Sequence, residues 1–424
     1  MYTSKADQNQ VNQYFILSGN NVFTASNPFF IQMNRAIMRF WRKPIFTDYR
    51  FLLIVWVSLA LFVGVIRQLL HGLHGNYQIY KLVFFHLIDK VSLYPPPTAV
   101  MDSNHYGPLF GLIIAPFAVL PDLVGGTLWV LANVLLLFYA VYQLPLKRWQ
   151  HAVIYWFCLN SLFVAVVNVQ FNIAIAAIIV LSFTFLKKEK EGWAALLIMV
   201  GAFVKLYGIV GLSFFFFSKH KLRFVAWCAF WAVILFVLPM AFTSPDYIIA
   251  QYGEWFHSLV GKNNDNAFAV MQDISVFGMV RRVAGHPEWS NLPLLLVGLL
   301  AFGSTYLRFD KFRQEGFQLL MLASVLLFTV LFSTGSEQNT YLIAMVGVAV
   351  WFVIQPHPIK KWQWGMLAFV FIFTSMAPSD LFPRFLYKNY MQPYSLMAFP
   401  CLLVWIVIVY EMLFKQSKDY ISRQ

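Results

Sequence analysis

The chain reads as an all-α polytopic membrane protein, and three observations predict it. Of its 424 residues 60% are hydrophobic and only 12% charged, more apolar side chain than a soluble fold of that length can bury. Apolar runs recur along nearly the whole length, many close to the ~20 residues that cross a bilayer as a helix. Lys and Arg gather in the short segments that join these runs on one side, the bias that orients membrane proteins. A large soluble α/β enzyme is excluded, because most segments lack a charged amphipathic face.

From the N-terminus, residues 1–27 are polar and show no signal-peptide pattern. Residues 29–43 predict an interfacial amphipathic helix on the inner leaflet. Phe29, Phe30, Met33, Ile37, Phe40 and Trp41 fall on one side, with Asn34, Arg35, Arg39, Arg42 and Lys43 mostly on the other. Residues 1–50 are therefore read as a cytoplasmic tail. Apolar runs follow near 51–70, 107–120, 123–144, 151–167, 171–186, 193–217, 222–242, 291–307, 316–333, 339–354, 362–377 and 395–414. Two are unusual. Residues 107–120 are short and bounded by Pro108 and Pro121, which predicts a short or re-entrant element. Residues 193–217 carry Lys205 near their middle, which predicts a broken hairpin with Lys205 at its tip. The expectation is about 10–12 transmembrane helices of ~20 residues each in a single membrane domain, 51–414, with 415–424 as a second cytoplasmic tail.

Charge supports that threading. Residues 1–50, 145–150, 187–192, 218–223, 308–315, 355–361 and 410–424 hold 22 of the 31 Lys and Arg but 8 of the 18 Asp and Glu. Placing them inside puts both termini in the cytoplasm. The basic balance of the chain is thus a topology signature; its cations are scattered over short loops, and no nucleic-acid partner is implied. Cys158, Cys228 and Cys401 lie within or beside apolar runs and read as core residues.

The other side carries the long polar segments 71–106, 243–290, 333–339 and 378–394. In the first, Tyr77, Tyr80, Phe84, Leu87 and Ile88 recur at helical spacing and predict a surface helix over 76–90; Pro95-Pro96-Pro97 then forces extended chain. Long, mixed-charge, aromatic segments on one side predict a cavity open to that side.

Several polar residues are candidates for chemistry there. Asp102 and His105 end the first outer loop; a carboxylate can act as a general base and a nearby imidazole can orient or protonate, while the bland reading is a capped turn. Asn168, Gln170 and Asn172 interrupt two apolar runs, where amides must find partners; a polar helix contact would explain them equally. Lys205 lies deep in an apolar run, which calls for an anion or for snorkelling. Arg281 and Arg282 run against the inner bias, pointing to a phosphate or carboxylate partner or to an interfacial anchor. Glu337 sits in a short turn as a second acid or base, or as a solvated residue. The chain has no phosphate-cradling Gly-rich loop, zinc motif or serine nucleophile elbow, so no metal or cofactor is expected and a nucleotide-driven machine is disfavoured.

The order of these features resembles glycosyltransferase family 87, of the GT-C superfamily. The matching pieces are Tyr106-Gly107-Pro108, then Ala115-Pro116-Phe117-Ala118-Val119-Leu120-Pro121, then Trp129 with Asn133. They continue with Val169-Gln170-Phe171-Asn172, where the family has Gly-Gln-x-Asn, and with Lys205-Leu206-Tyr207. Last come Asp273-Ile274-Ser275-Val276-Phe277-Gly278 and the pair Arg281, Arg282. The resemblance implies a GT-C-like fold and an inverting transferase that moves a hexose such as mannose from a polyprenyl-phosphate sugar. The acceptor would be an envelope glycolipid, glycan or protein. The implied setting is a bacterial inner membrane, with the site on the outer, periplasmic face among membrane lipids. The donor phosphate would meet Lys205, Arg281 or Arg282; Asn76, Tyr106, Gln170, Asn172, Tyr207, Asp273 and Ser275 would contact substrate.

Two departures accompany the resemblance. Aligning Tyr77-Gln78-Ile79-Tyr80 to the family's Phe-x-x-Tyr-like run puts Asn76 where its catalytic Asp stands, and an amide is no general base at neutral pH. Asp102, His105 and Glu337 are the substitutes. The family's His before the tyrosine of the late outer turn is Thr340 here, before Tyr341. The competing reading is a transporter or flippase of a lipid-linked substrate, which would place its polar residues near mid-membrane; a polymerase or ligase of the same envelope chemistry is a third.

Overall fold

In the computed structural model, residues 44–71, 75–98, 102–269, 271–415 and 420 are described. The surface helix expected over 29–43 and most of the tail expected over 415–424 lie outside them. The described residues form helices and no strands. Contacts divide the chain into two units, Met1–Phe51 and Leu52–Gln424. In the first, Asp48 accepts the backbone N–H groups of Arg50 and Phe51 at 2.9 and 3.2 Å and so caps the start of α1 (Tyr49–His71).

In the second unit each expected apolar run is helical. After α2 (Asn76–Asp89) come α3 (Leu109–Ala118), α4 (Asp122–Tyr142), α5 (Arg148–Val167) and α6 (Asn172–Lys187). Next are α7 (Glu191–Lys205), a 3₁₀ arm (Tyr207–Phe217) and α8 (Lys221–Val237). Then come α9 (Pro245–Phe268), α10 (Val276–Ala284), α11 (Leu292–Ser304), α12 (Glu315–Leu331), α13 (Tyr341–Val353), α14 (Lys361–Val370) and α15 (Ala398–Phe414). Among the described residues, four helical stretches are long and apolar enough to cross a membrane by length and composition: Tyr49–Ile66, Asp122–Tyr142, Arg148–Val167 and Lys221–Phe242; the other apolar helices are shorter.

The centre is built from helices that are apolar all round, as buried helices must be. Nearly every residue of α6, α12 and α13 is buried. The helix α8 is the opposite: only 17% of its apolar window is covered, and Leu222, Val225, Phe230, Val233 and Val237 face outward, as a lipid-facing helix requires.

Residues 193–217 fold as the hairpin predicted for them, with Lys205 at the tip. The turn is made by Leu206 in the left-handed region (φ 53°), a conformation that costs a non-glycine residue about 1–2 kcal/mol. The two arms close by backbone contact: a Cβ on Gly208 would stand 2.4 Å from Gly201. The return arm is 3₁₀ rather than α.

Two further features differ from the sequence expectation. The polar segment 243–290 is mostly helical, in α9 and α10. The start of α9 follows from Ser244 followed by Pro245 at the first helical position and Asp246 in the first turn. The face of α2 is also rotated: Tyr77, Ile79, Tyr80, Val83 and Leu87 are buried, while Ile88 is exposed.

Helix ends sort into two groups. At one end Lys187 pairs with Glu315 (2.8 Å), Lys219 with Glu189 (2.6 Å) and Lys415 with Glu411 (2.6 Å). There too Lys311 donates to the carbonyls of Met412 (2.9 Å) and Lys415 (2.6 Å) at the end of α15. The other end carries α2, α9, α10 and the hairpin tip.

Candidate functional site

A cavity of about 570 Å³ opens at that second end. Its wall includes Asn76 at the start of α2, Asp102, His105 and Tyr106 from the first loop, and Lys205 and Tyr207 from the hairpin tip. Gln170 joins from the α5–α6 break, Lys262 and Asn266 from α9, and Glu337 with Asn339 from the α12–α13 turn. Most of these groups arrive where a helix starts, stops or breaks; Lys262 instead comes from within α9.

Lys205 is the centre of positive charge. Its Nζ donates to Asn172 Oδ1 at 2.7 Å and lies 5.4 Å from the ring centroids of both Tyr106 and Tyr207. Among the described residues no carboxylate lies within 4.0 Å of it. An amide and two ring faces position an ammonium without neutralising it. Asn172 is itself aligned, donating to Gln170 Oε1 and Thr340 Oγ1, both at 3.2 Å. The 168–171 break that frees these amides turns on Val169, held at φ 51°; the resembled family has glycine at that place, the residue such a φ favours.

Asn76 sits on the wall, and its Nδ2 donates to Asn168 O at 2.8 Å. Asn168 in turn donates to Asn339 Oδ1 at 2.8 Å. This line of amides offers hydrogen bonds and no proton acceptor of useful basicity. Tyr106 forms the apolar floor, stacked on Phe110 at 4.5 Å with its hydroxyl 3.1 Å from that of Tyr80. The Tyr207 hydroxyl lies 2.8 Å from Ser333 Oγ.

At the rim Asp102 pairs with Lys262 at 3.0 Å and accepts Ser103 N at 2.8 Å. Burial alone would raise its carboxyl, but Lys262 and the Ser103 N–H hold it below the ordinary range. His105 is fixed at several points. Its carbonyl accepts Trp255 Nε1 at 3.0 Å and its Nδ1 lies 2.7 Å from Ser258 Oγ, both on α9. Gly107, two residues on, lets the chain reach the hairpin: a Cβ there would stand 2.1 Å from Phe203 O.

The remaining sequence candidates come together elsewhere. Asp273 and Arg281 form an ion pair with both side chains almost fully buried. Ser275 donates to Asp273 Oδ1 at 2.5 Å while its Oγ caps α10 through Phe277 N and Gly278 N. Arg281 also meets Asn291, and Arg282 binds the carbonyls of Ala269 (2.7 Å) and Gln272 (2.8 Å) and the Ser395 hydroxyl. These four residues do not line the cavity; they tie down the segment that delivers Gln272 to its wall.

Residues not singled out from the sequence complete the site: Ser258, Lys262, Asn263, Asn266 and Gln272. Their signal would have been the α9 helix itself, whose polar face carries Ser258, Lys262 and Asn266 at four-residue spacing.

The sequence profile of glycosyltransferase family 87 matches residues 104–334, more than half of the 424 residues and much of the cavity wall. No curated protein matches the chain. The chain belongs to glycosyltransferase family 87 and is, by that membership and its array of apolar helices, a multi-pass membrane glycosyltransferase.

Proposed function

We propose that this glycosyltransferase moves a hexose, with mannose the first to test, from a polyprenyl-phosphate donor to a hydroxyl of an envelope glycolipid, glycan or protein. The observation that carries this reading is Lys205: a cation on a hairpin tip, oriented by Asn172 and two tyrosines, un-neutralised at contact range and facing a cavity walled by amides. A sugar phosphate leaves as an anion, and a fixed cation in a site of low dielectric is the arrangement that favours its departure. The amides suit sugar hydroxyls. The lipid tail would run between the outward-facing helices.

The transfer is read as a single displacement: the acceptor oxygen attacks the anomeric carbon opposite the phosphate and inverts it. The arginine pair would act on the donor phosphate indirectly, through the segment that ends in Gln272, with Lys205 as the direct contact. Asn76 cannot take the acceptor proton, which leaves Asp102, His105 and Glu337. Sidedness follows from charge: the basic end reads as cytoplasmic and the cavity end as the outer, periplasmic face of a bacterial inner membrane. The tail 1–50 and the membrane domain 51–414 are read as separate parts on the same ground.

The test is transfer of radiolabelled hexose from polyprenyl-phosphate hexose in membranes containing the protein. The Lys205→Gln variant is expected to lose the product; full transfer by it overturns the site. Uptake of donor into vesicles with no glycan product would favour the transporter. For sidedness, cysteines at positions 188 and 206 should label from opposite faces, 188 from the cytoplasmic one.

A further inference from the structure

The cavity contains a proton acceptor whose tautomer the surrounding hydrogen bonds dictate. Ser258 Oγ lies 3.1 Å from the carbonyl oxygen of Asn104 and 2.7 Å from His105 Nδ1. A hydroxyl has one proton, and a carbonyl oxygen can only accept. With the Ser258 proton on Asn104 O, the short contact to His105 is made by Nδ1–H donating to Ser258 Oγ. The imidazole then keeps a bare lone pair on Nε2. That atom is buried and has no hydrogen-bond partner among the described residues, on a ring that lines the cavity. A bare buried acceptor costs about 1–3 kcal/mol, so the site is arranged for something that donates to it.

The rest of the loop holds the ring in place. The Asn104 side chain accepts Tyr106 N at 2.9 Å and donates to Tyr106 O at 3.1 Å, bracketing His105. Trp255 Nε1 grips the His105 carbonyl. By contrast the two carboxylates on the wall have other duties. Asp102 is held by Lys262 and Ser103 at the exposed rim, and Glu337 sits in the short turn that leads into α13, its backbone N–H donating to Thr340 Oγ1 at 3.2 Å.

Resting on the transferase reading above, we propose that His105 is the general base of the reaction, taking the acceptor's hydroxyl proton on Nε2, and that Ser258 is the positioning residue that fixes its Nδ1–H tautomer. In the step, the acceptor oxygen forms its bond to the anomeric carbon as its O–H proton passes to Nε2. The carbon–oxygen bond to phosphate breaks, and its electron pair leaves with the lipid phosphate beside Lys205. The resulting imidazolium is stabilised by the Ser258 acceptor and by Asp102 nearby, and passes its proton on when the product leaves. The arrangement supplies a base where the family's aspartate is Asn76.

The charges facing His105 bear on when it works. Burial first, then the Lys262 ammonium, hold the imidazole down to about 4; Asp102 and Asp265 pull it up and Lys205 pushes it down. The ring is therefore neutral, with its lone pair available, at neutral pH. An anionic donor at Lys205 raises its basicity when the base is needed.

The experiment is hexose transfer from polyprenyl-phosphate mannose to the endogenous acceptors of the membranes, for wild type, His105→Asn, Ser258→Ala and Ser258→Thr, with kcat/KM followed against pH. In His105→Asn the amide reproduces the Nδ1 contact with Ser258 but presents no base; a loss of about 10²-fold or more in kcat at unchanged expression is expected. Ser258→Ala should lower kcat, because the tautomer is no longer set by its partner, and Ser258→Thr should restore it. The acid limb of the wild type should lie near pH 4. Lys262→Met removes a like charge and moves it to higher pH; Asp102→Asn removes an opposite charge and moves it lower. Wild-type kcat in His105→Asn, with an active wild type, overturns the histidine alone. Limbs that stay in place in both charge variants overturn it as well. A wild type that transfers no sugar from any of a panel of polyprenyl-phosphate hexoses overturns the donor reading and the base with it.

Discussion

Lys205 and Lys311 sit at opposite ends of the same helical array, Lys311 buried and Lys205 partly so. Their surroundings differ in kind. Lys311 is 1% exposed and donates to two carbonyl oxygens at the C-terminus of α15, where the helix dipole adds its negative end. It closes a helix end and has no access to a ligand. Lys205 has one amide oxygen, two ring faces and an open cavity. A buried cation is thus no sign of a binding site by itself; what distinguishes a ligand-ready cation is a set of partners that orient it without neutralising it.

Arg281 tests the structural extreme of that contrast. It is paired with Asp273, and both side chains are buried. Arg281→Met leaves an uncompensated buried carboxylate, which should destabilise the protein by about 3–5 kcal/mol. Thermal unfolding in detergent measures it. If the variant keeps its stability but loses donor affinity, Arg281 belongs with Lys205 and not with Lys311.

Lys205→Gln is the reciprocal test. The amide keeps the polarity and most of the length of the side chain, so the fold should hold, while removal of the cation placed at the leaving group should lower kcat about 10²–10³-fold. A large drop in melting temperature at normal turnover per folded molecule would make Lys205 a second structural lysine.

Lys311→Met should behave in the opposite way. The carbonyls of Met412 and Lys415 lose their donor, costing about 1–3 kcal/mol of stability, and transfer by the folded fraction should equal that of wild type.

Much of this contrast could be read from the sequence, and some could not. The helix array was legible because hydropathy reports burial in lipid directly; the hairpin was legible because a lone Lys in an apolar run needs a way out. The closure of its two arms through Gly201 and Gly208 was not, since it depends on backbones meeting across the turn. Asp273 and Arg281 carried no sign of being partners: the seven residues between them cross from a loop into α10, and either could have faced a substrate. Lys262 and Ser258 carry little sequence signal because α9 is polar enough to look like loop; its buried face, with Ile248, Gln251 and Trp255, is narrow and packs mainly against another loop, where hydropathy gives little signal.

Val169 offers the smallest test and the one closest to the resemblance. It holds φ at 51° between Asn168 and Gln170, a conformation that a β-branched side chain disfavours by about 1–2 kcal/mol. The strain lies at the break that brings Asn168, Gln170 and Asn172 to the cavity, the kind of place where strain is retained. Val169→Gly relieves it in the folded state but also loosens the unfolded chain. The expected net is a stabilisation of up to ~1 kcal/mol, with transfer unchanged, because the amide network is anchored independently by Asn339, Thr340 and Lys205. If stability rises while kcat falls severalfold, the valine is itself setting the position of Asn172 and Lys205, and the site's geometry depends on that strained residue.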